Sequence, residues 1–274
     1  MSANSLIIAG YGLNCEEESA IAFERVGFSS QIVHINDLIE NPKLLDNFQV
    51  LCVPGGFSYG DDTGSGNAFA QKMRLTLQDA LKNFVERDTL TIGICNGCQI
   101  VVNLGLAPAC DKNYGVRQVA VTHNENARYQ CRWVDLKVES NLSPWLQNVY
   151  TIHVPVAHGE GRFMMDDDQL KILKDNHQIA LRYSKDGKAA NGEFPYNPNG
   201  STDDIAGITD ETGRVLVLMP HPERGMFAWQ RDDYTRLKDE ARRKGQSVAE
   251  ESDGLLLFQN AAHYFDINQL KKSA

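Results

Sequence analysis

Residues 91–99 read Thr91-Ile92-Gly93-Ile94-Cys95-Asn96-Gly97-Cys98-Gln99, and this stretch decides the fold. A short apolar run ends in Gly-x-Cys-x-Gly, and a helical pattern takes over at once across residues 99–104. A chain that turns from strand to helix within one residue needs glycine on both sides of the tip, because side chains there would collide with the returning backbone. The tip residue is then strained, and its side chain is held at the edge of the sheet. Here the tip is a cysteine, in the serine position of the G-x-nucleophile-x-G arrangement. The new helix N-terminus brings unpaired N–H groups and partial positive charge to the sulfur, which favours thiolate and offers donors to an oxyanion.

The elbow ends the last of four short apolar runs, at 6–9, 31–35, 50–53 and 91–94. Each is rich in Val, Ile or Leu, as strands buried on both faces are. Helical patterns fill the gaps. Residues 15–26 place Ile21, Phe23 and Val26 on one side before Gly27, and 67–86 repeats Phe69, Met73, Leu77, Leu81 and Phe84. Strands alternating with helices predict an open, mostly parallel α/β sheet flanked by helices. Further strands are expected at 116–123, 131–138, 150–155, 178–183, 205–209 and 215–219, an additional antiparallel portion. The tail is helical at 234–244 and 255–264, and the charged stretch 230–253 reads as a solvated excursion. No internal repeat or low-complexity linker divides the chain, so residues 1–274 are expected to form one domain.

Composition excludes several classes. At 274 residues with 42% hydrophobic and 23% charged content, the chain has the make-up of a folded protein rather than a disordered one. Its net charge of −9 argues against nucleic acid or an anionic membrane as partner. No apolar run reaches the roughly 18 residues of a membrane span. The opening MSANSLIIAG lacks a signal-peptide pattern, so a cytoplasmic location and free thiols are expected for the six cysteines.

A cysteine nucleophile for acyl transfer needs a base, and the base needs an orienting group. Of seven histidines, His221 stands out in Met219-Pro220-His221-Pro222-Glu223-Arg224, at the end of an apolar run. Two prolines stiffen the loop. Alternation in an extended chain puts His221 and Glu223 on one side, so Glu223 could fix the ring's tautomer. His34 and His177 read as structural or surface residues. Cys95 and Cys98 also spell C-x-x-C, compatible with a redox dithiol or half a zinc site. Cys110 and Cys131 are too far apart to supply a second close pair, and the simplest reading of Cys98 is a small buried residue.

After the third strand, Pro54-Gly55-Gly56-Phe57-Ser58-Tyr59-Gly60-Asp61-Asp62 should lie beside the elbow. Gly55-Gly56 allows close backbone approach and N–H donation to an oxyanion. The loop lacks the Lys-Ser/Thr of a phosphate-binding loop, and Asp61-Asp62 is expected to cap the following helix. The segment 157–163, Ala-His-Gly-Glu-Gly-Arg-Phe, reads as a loop after a strand that could contact a ligand or a partner.

PGGFSYGDD (54–62), GICNGCQ (93–99), HGEGR (158–162), NPNGS (197–201) and MPHPER (219–224), in this order, resemble the class I (triad) glutamine amidotransferases. Within them, the likeness is to the branch that forms the glutaminase component of phosphoribosylformylglycinamidine synthase, and it runs from about residue 5 to residue 225. It implies a flavodoxin-like fold. It also implies hydrolysis of glutamine to glutamate and ammonia, which a separate synthase subunit uses to amidate formylglycinamide ribonucleotide in purine biosynthesis. By the same likeness the nucleophile falls on Cys95, the base on His221, its carboxylate on Glu223, and the oxyanion donors on the backbone N–H groups of Gly56 and Asn96. Gln99, His158, Gly159 and Glu160 correspond to the lining of the glutamine pocket. No metal or cofactor is implied in this chain; ATP and magnesium belong to the synthase subunit, with a small accessory subunit as an optional third component.

Overall fold

In the computed structural model, which describes residues 3–64 and 66–267, the apolar runs of the first hundred residues pair side by side. The strands are β1 (Asn4–Ala9), β2 (Ser29–His34), β3 (Val50–Val53) and β4 (Leu90–Ile94), accompanied by helices α1 (Glu16–Arg25), α2 (Ile35–Glu40), α3 (Asn67–Glu86) and α4 (Asn96–Leu104). They lie parallel in the order β2-β1-β3-β4, and β3 and β4 are buried at every residue, as strands covered on both faces must be.

The later strands are β5 (Ala120–His123), β6 (Gln130–Val138), β7 (Thr151–His158), β8 (Glu160–Met164), β9 (Ile179–Lys185), β10 (Lys188–Ala189), β11 (Ile205–Thr209) and β12 (Val215–Leu218). Helices α5 (Asp167–Asp175), α6 (Tyr234–Arg243) and α7 (Leu255–Tyr264) complete the elements that matter here. β12 returns to lie parallel to β4, giving β2-β1-β3-β4-β12, the strand order of flavodoxin-like sheets. From β12 the same sheet continues antiparallel through β11, β9, β6 and β7, with β10 against β9. β5 and β8 pair apart from it. The carboxyl ends of β1, β3, β4 and β12 therefore open on one side, where ligands bind in such sheets.

The core follows the helical spacing closely. Phe69, Met73, Leu77, Leu81 and Phe84 form the buried face of α3. In α1, Phe23 is buried but Ile21 faces solvent, so only part of the expected stripe packs. α6 buries none of its residues and is laced by pairs such as Arg236–Glu240 and Arg243–Asp239.

Several local expectations are corrected. The strand expected at 116–123 is present only from Ala120. Both polar groups of the Gln118 amide bond the Cys110 backbone, and that commits the preceding residues to a loop. Ile35 begins α2 instead of ending a strand, because the His34 ring accepts from the Asn36 N–H and caps the helix. The 157–163 segment is not a loop. β7 runs through His158, and β8 follows after one residue, with Gly161 and Phe163 turned inward. Asp61 and Asp62 do not cap α3, whose N-cap is Gly66 in the left-handed region, φ 70°.

Candidate active site

Cys95 sits between β4 and α4 with φ 52° and ψ −108°, a conformation L-residues rarely adopt. It belongs to both elements at once. Its N–H donates to the Leu218 carbonyl at 2.9 Å, extending the pairing with β12, while its carbonyl accepts the Gln99 N–H at 3.2 Å, the first helical bond of α4. The flanking glycines are sterically required, as expected. A Cβ on Gly97 would overlap the Val53 carbonyl, and one on Gly93 would stand 2.8 Å from the Gly97 carbonyl. The Cys95 sulfur is nearly buried, 3.8 Å from the Ala157 carbonyl at the end of β7.

β12 delivers His221. Its N–H donates to the Pro155 carbonyl at 2.8 Å, tying the proline-flanked loop to β7. His221 Nδ1 and Glu223 Oε1 are 2.6 Å apart, with Glu223 fully buried. The two meet through a 3₁₀ turn at Pro222–Arg224, not through extended alternation. Burial alone would lower the His221 pKa, but the Glu223 carboxylate, reinforced by the Cys95 and Cys15 thiols, holds it well above its ordinary value of 6.5. With the 2.6 Å carboxylate contact on Nδ1, the other ring nitrogen is left for chemistry.

The loop after β3 reaches this pair from the other side. Gly55 comes so close that a Cβ there would stand 2.7 Å from His221 Cε1. Gly56 lies at φ 155°, where a Cβ would overlap the Gly12 carbonyl. Its N–H makes no hydrogen bond among the described residues, and the Asn96 N–H, at the start of α4, lacks an intrahelical acceptor. The Asn96 side chain fastens loop to helix. Its Oδ1 accepts the Ser58 N–H at 3.1 Å, and its Nδ2 donates to Gln99 Oε1 at 2.7 Å and contacts Asp61 Oδ1 at 3.5 Å. Gln99 Nε2 in turn donates to the Glu160 carbonyl, joining α4 to β8.

His158 forms the wall beyond Ala157. Its ring is buried, Nδ1 lies 3.1 Å from Asn124 Oδ1, and Nε2 has no partner among the described residues. Burial, with the neighbouring His221 adding to it, lowers its pKa to about 3. The Gly159 carbonyl accepts the Asn124 N–H at 2.9 Å, and the Glu160 carboxylate meets His123 Nδ1 at 3.3 Å. The NPNGS segment works from behind this wall. Asn199 Nδ2 donates to the Gly161 carbonyl at 2.8 Å, Ser201 Oγ accepts the Phe163 N–H at 3.0 Å, and Asn197 Nδ2 binds Asp204 at 2.9 Å. A cleft of about 240 Å³ opens beside Glu160, lined also by Thr63, Asn67, Asn103, Arg117 and His123.

All the expected residues thus gather at one end of the parallel strands. One neighbour is not legible from motif spacing: Cys15, N-cap of α1, whose buried sulfur lies beside the His221 ring. The Cys15 sulfur, a His221 nitrogen and a Glu223 oxygen lie within 4.8 Å of one another, but the carboxylate is already engaged by Nδ1 and the thiol donates to Asn14 Oδ1 at 3.3 Å. Cys98 is wholly buried in the apolar core, and burial pushes its thiol well above the ordinary range, the environment of an inert cysteine. Among the described residues, neither Cys98 nor Asp61-Asp62 joins a group able to hold a metal, and no helix is long and apolar enough to cross a membrane.

Residues 2–265 match the family described as the CobB/CobQ-like glutamine amidotransferase domain. The chain is 46% identical to phosphoribosylformylglycinamidine synthase subunit PurQ of Methanococcus maripaludis, over 95% of this chain and 97% of that one. It is 38% identical to the subunit of the same name from Dehalococcoides mccartyi, over 95% and 96% respectively. Among solved structures, a chain of PurLQS from Thermotoga maritima superposes with a TM-score of 0.69 at 30% identity, covering 97% of this chain and 100% of that one.

Proposed function

The chain belongs to the CobB/CobQ-like glutamine amidotransferase family, and from that premise we infer how its residues carry out the family's chemistry. Its task is to hydrolyse glutamine and supply the ammonia to a separate synthase chain, which makes formylglycinamidine ribonucleotide. Free glutamine is the substrate, and the site works in the reducing cytosol with no cofactor of its own; ATP and magnesium act on the synthase. A small accessory subunit fits the same scheme.

The Cys95 thiolate attacks the side-chain amide carbon of glutamine, and the carbonyl electrons move onto oxygen. The N–H groups of Gly56 and Asn96 receive that oxyanion, each worth roughly 3–4 kcal/mol to the barrier. The His221 imidazolium then gives its proton to the departing nitrogen, and ammonia leaves a glutamyl thioester on Cys95. The imidazole, now neutral, takes a proton from water as the water attacks the thioester. Glutamate departs, and the sulfur and ring return to their starting forms. Glu223 keeps the ring oriented and supports its positive charge throughout. Gln99 and the 158–160 segment border the substrate.

The observation that carries this reading is the strained Cys95 backbone at the strand-to-helix elbow, with the His221–Glu223 pair on the adjoining β12 loop. Cys95→Ala in the reconstituted complex should abolish glutamine-dependent synthesis and leave ammonia-dependent synthesis intact. Loss of both, or retention of both, would refute the assignment.

A further inference from the structure

Cys15 closes the turn between β1 and α1, outside every motif assigned so far. It approaches the site twice. Its buried sulfur donates to Asn14 Oδ1 at 3.3 Å and lies within 4.8 Å of a His221 ring nitrogen, and the Gly55 Cα is packed against both partners: a Cβ there would stand 2.7 Å from His221 Cε1 and 3.0 Å from the Cys15 sulfur. Its backbone meets the oxyanion loop, where the Gly55 carbonyl accepts the N–H groups of Asn14 at 3.0 Å and Cys15 at 3.3 Å. A peptide unit is planar and trans, so anchoring the Gly55 carbonyl toward α1 turns the Gly56 N–H to the opposite side. The neighbouring bonds zip the same two segments together, Phe57 N–H to the Gly12 carbonyl and Tyr59 N–H to the Tyr11 carbonyl, each at 2.8 Å.

We propose that Cys15 is a positioning residue for the amide hydrolysis. Its thiol steadies the His221 ring, while its N–H, with that of Asn14, fixes the peptide that presents the Gly56 donor. This rests on the reading of Cys95, His221 and Gly56 given above. The turn after β1 thereby locks base and oxyanion donor to each other, so the isolated chain already holds the oxyanion loop in place.

Among the described residues, the titratable groups that face His221 are Glu223, Cys95, Cys15, Tyr129 and, across the wall, His158, so removing the Cys15 sulfur deletes one of the neighbours that favour the protonated ring. Three variants, Cys15→Ala, Cys15→Ser and Cys95→Ala, are compared with the unaltered chain in complex with its synthase, and kcat, KM and the pH dependence of kcat are measured with glutamine. Cys15→Ala should lower kcat roughly fivefold to tenfold with KM unchanged, the effect of losing the modest polar contacts of one thiol. The limb of the profile set by His221 should move to lower pH. Cys15→Ser, which keeps a lone pair for the ring and a hydrogen for Asn14 Oδ1, should restore both. A Cys15→Ala enzyme with the original kcat and profile, or one whose loss merely follows the fraction that remains folded, would overturn the proposal. An active Cys95→Ala enzyme would instead overturn the reading on which it rests.

Discussion

Two cysteines in this molecule occupy nearly the same chemical position. Cys95 is the N-cap of α4 and Cys15 the N-cap of α1; both are almost completely buried, and both lie in the surroundings of His221. Proximity to an imidazole and to a helix N-terminus therefore cannot by itself make a nucleophile. Three differences separate them. α1 opens with Glu16, Glu17 and Glu18, which offset the positive end of the helix, whereas the first turn of α4 carries no acidic residue. Burial pushes the Cys15 thiol above its ordinary value, and although the bond to His221 pulls it back, Glu223 adds to the rise. Lastly, Cys15 has an ordinary backbone at φ −112°, while Cys95 is held at φ 52° between strand and helix. Strain at Cys95 positions the sulfur for attack, and relaxation at Cys15 suits it to support.

The most damaging change to both sides of this comparison is loss of the ring they share. His221→Asn should reduce glutamine hydrolysis by about 10³-fold or more while the chain still folds and binds its synthase. Turnover within tenfold of the unaltered enzyme would show that neither thiol depends on the imidazole.

A smaller effect isolates the Cys95 side alone. His158, next to the Ala157 carbonyl that faces the Cys95 sulfur, has a pKa lowered by burial from 6.5 to about 3. The folded chain thus binds fewer protons at this ring than the unfolded chain does. The stability it contributes is complete above about pH 6.5 and is lost as pH falls toward 3. Between pH 6 and pH 4 the unaltered chain should lose up to about 1.4 kcal/mol per pH unit more than His158→Gln, read from urea midpoints. Equal slopes would mean that His158 titrates normally and that the wall beside Cys95 is open to water.

The contrast also marks how far the sequence could be read. The elbow was legible because its requirement is local: Gly93 and Gly97 are dictated by backbone atoms that approach within a few residues or from the adjoining strand. The His221–Glu223 pair was legible for a similar reason, two residues apart on a stiff loop, although a 3₁₀ turn and not alternation brings them together. Cys15 was not, since its partners lie forty residues and two hundred residues away and nothing in its spacing announces them. A residue in N-cap position before three glutamates was the available signal, and it reports the helix alone. The NPNGS residues were likewise visible as a motif, yet the work of Asn199 and Ser201, holding β8 from behind through Gly161 and Phe163, depends on a ribbon that periodicity did not predict. Asp61-Asp62 misled because a carboxylate before a helix usually caps it, and here a left-handed Gly66 takes that place.

The difference between the two thiols is tested most directly by a glutamine-analogue electrophile added to the synthase-bound chain, with the modified residues mapped by mass spectrometry. Stoichiometric labelling of Cys95, protected by glutamine and accompanied by an unmodified Cys15, is the predicted result. A label on Cys15, or an even split between the two, would contradict the assignment of the nucleophile.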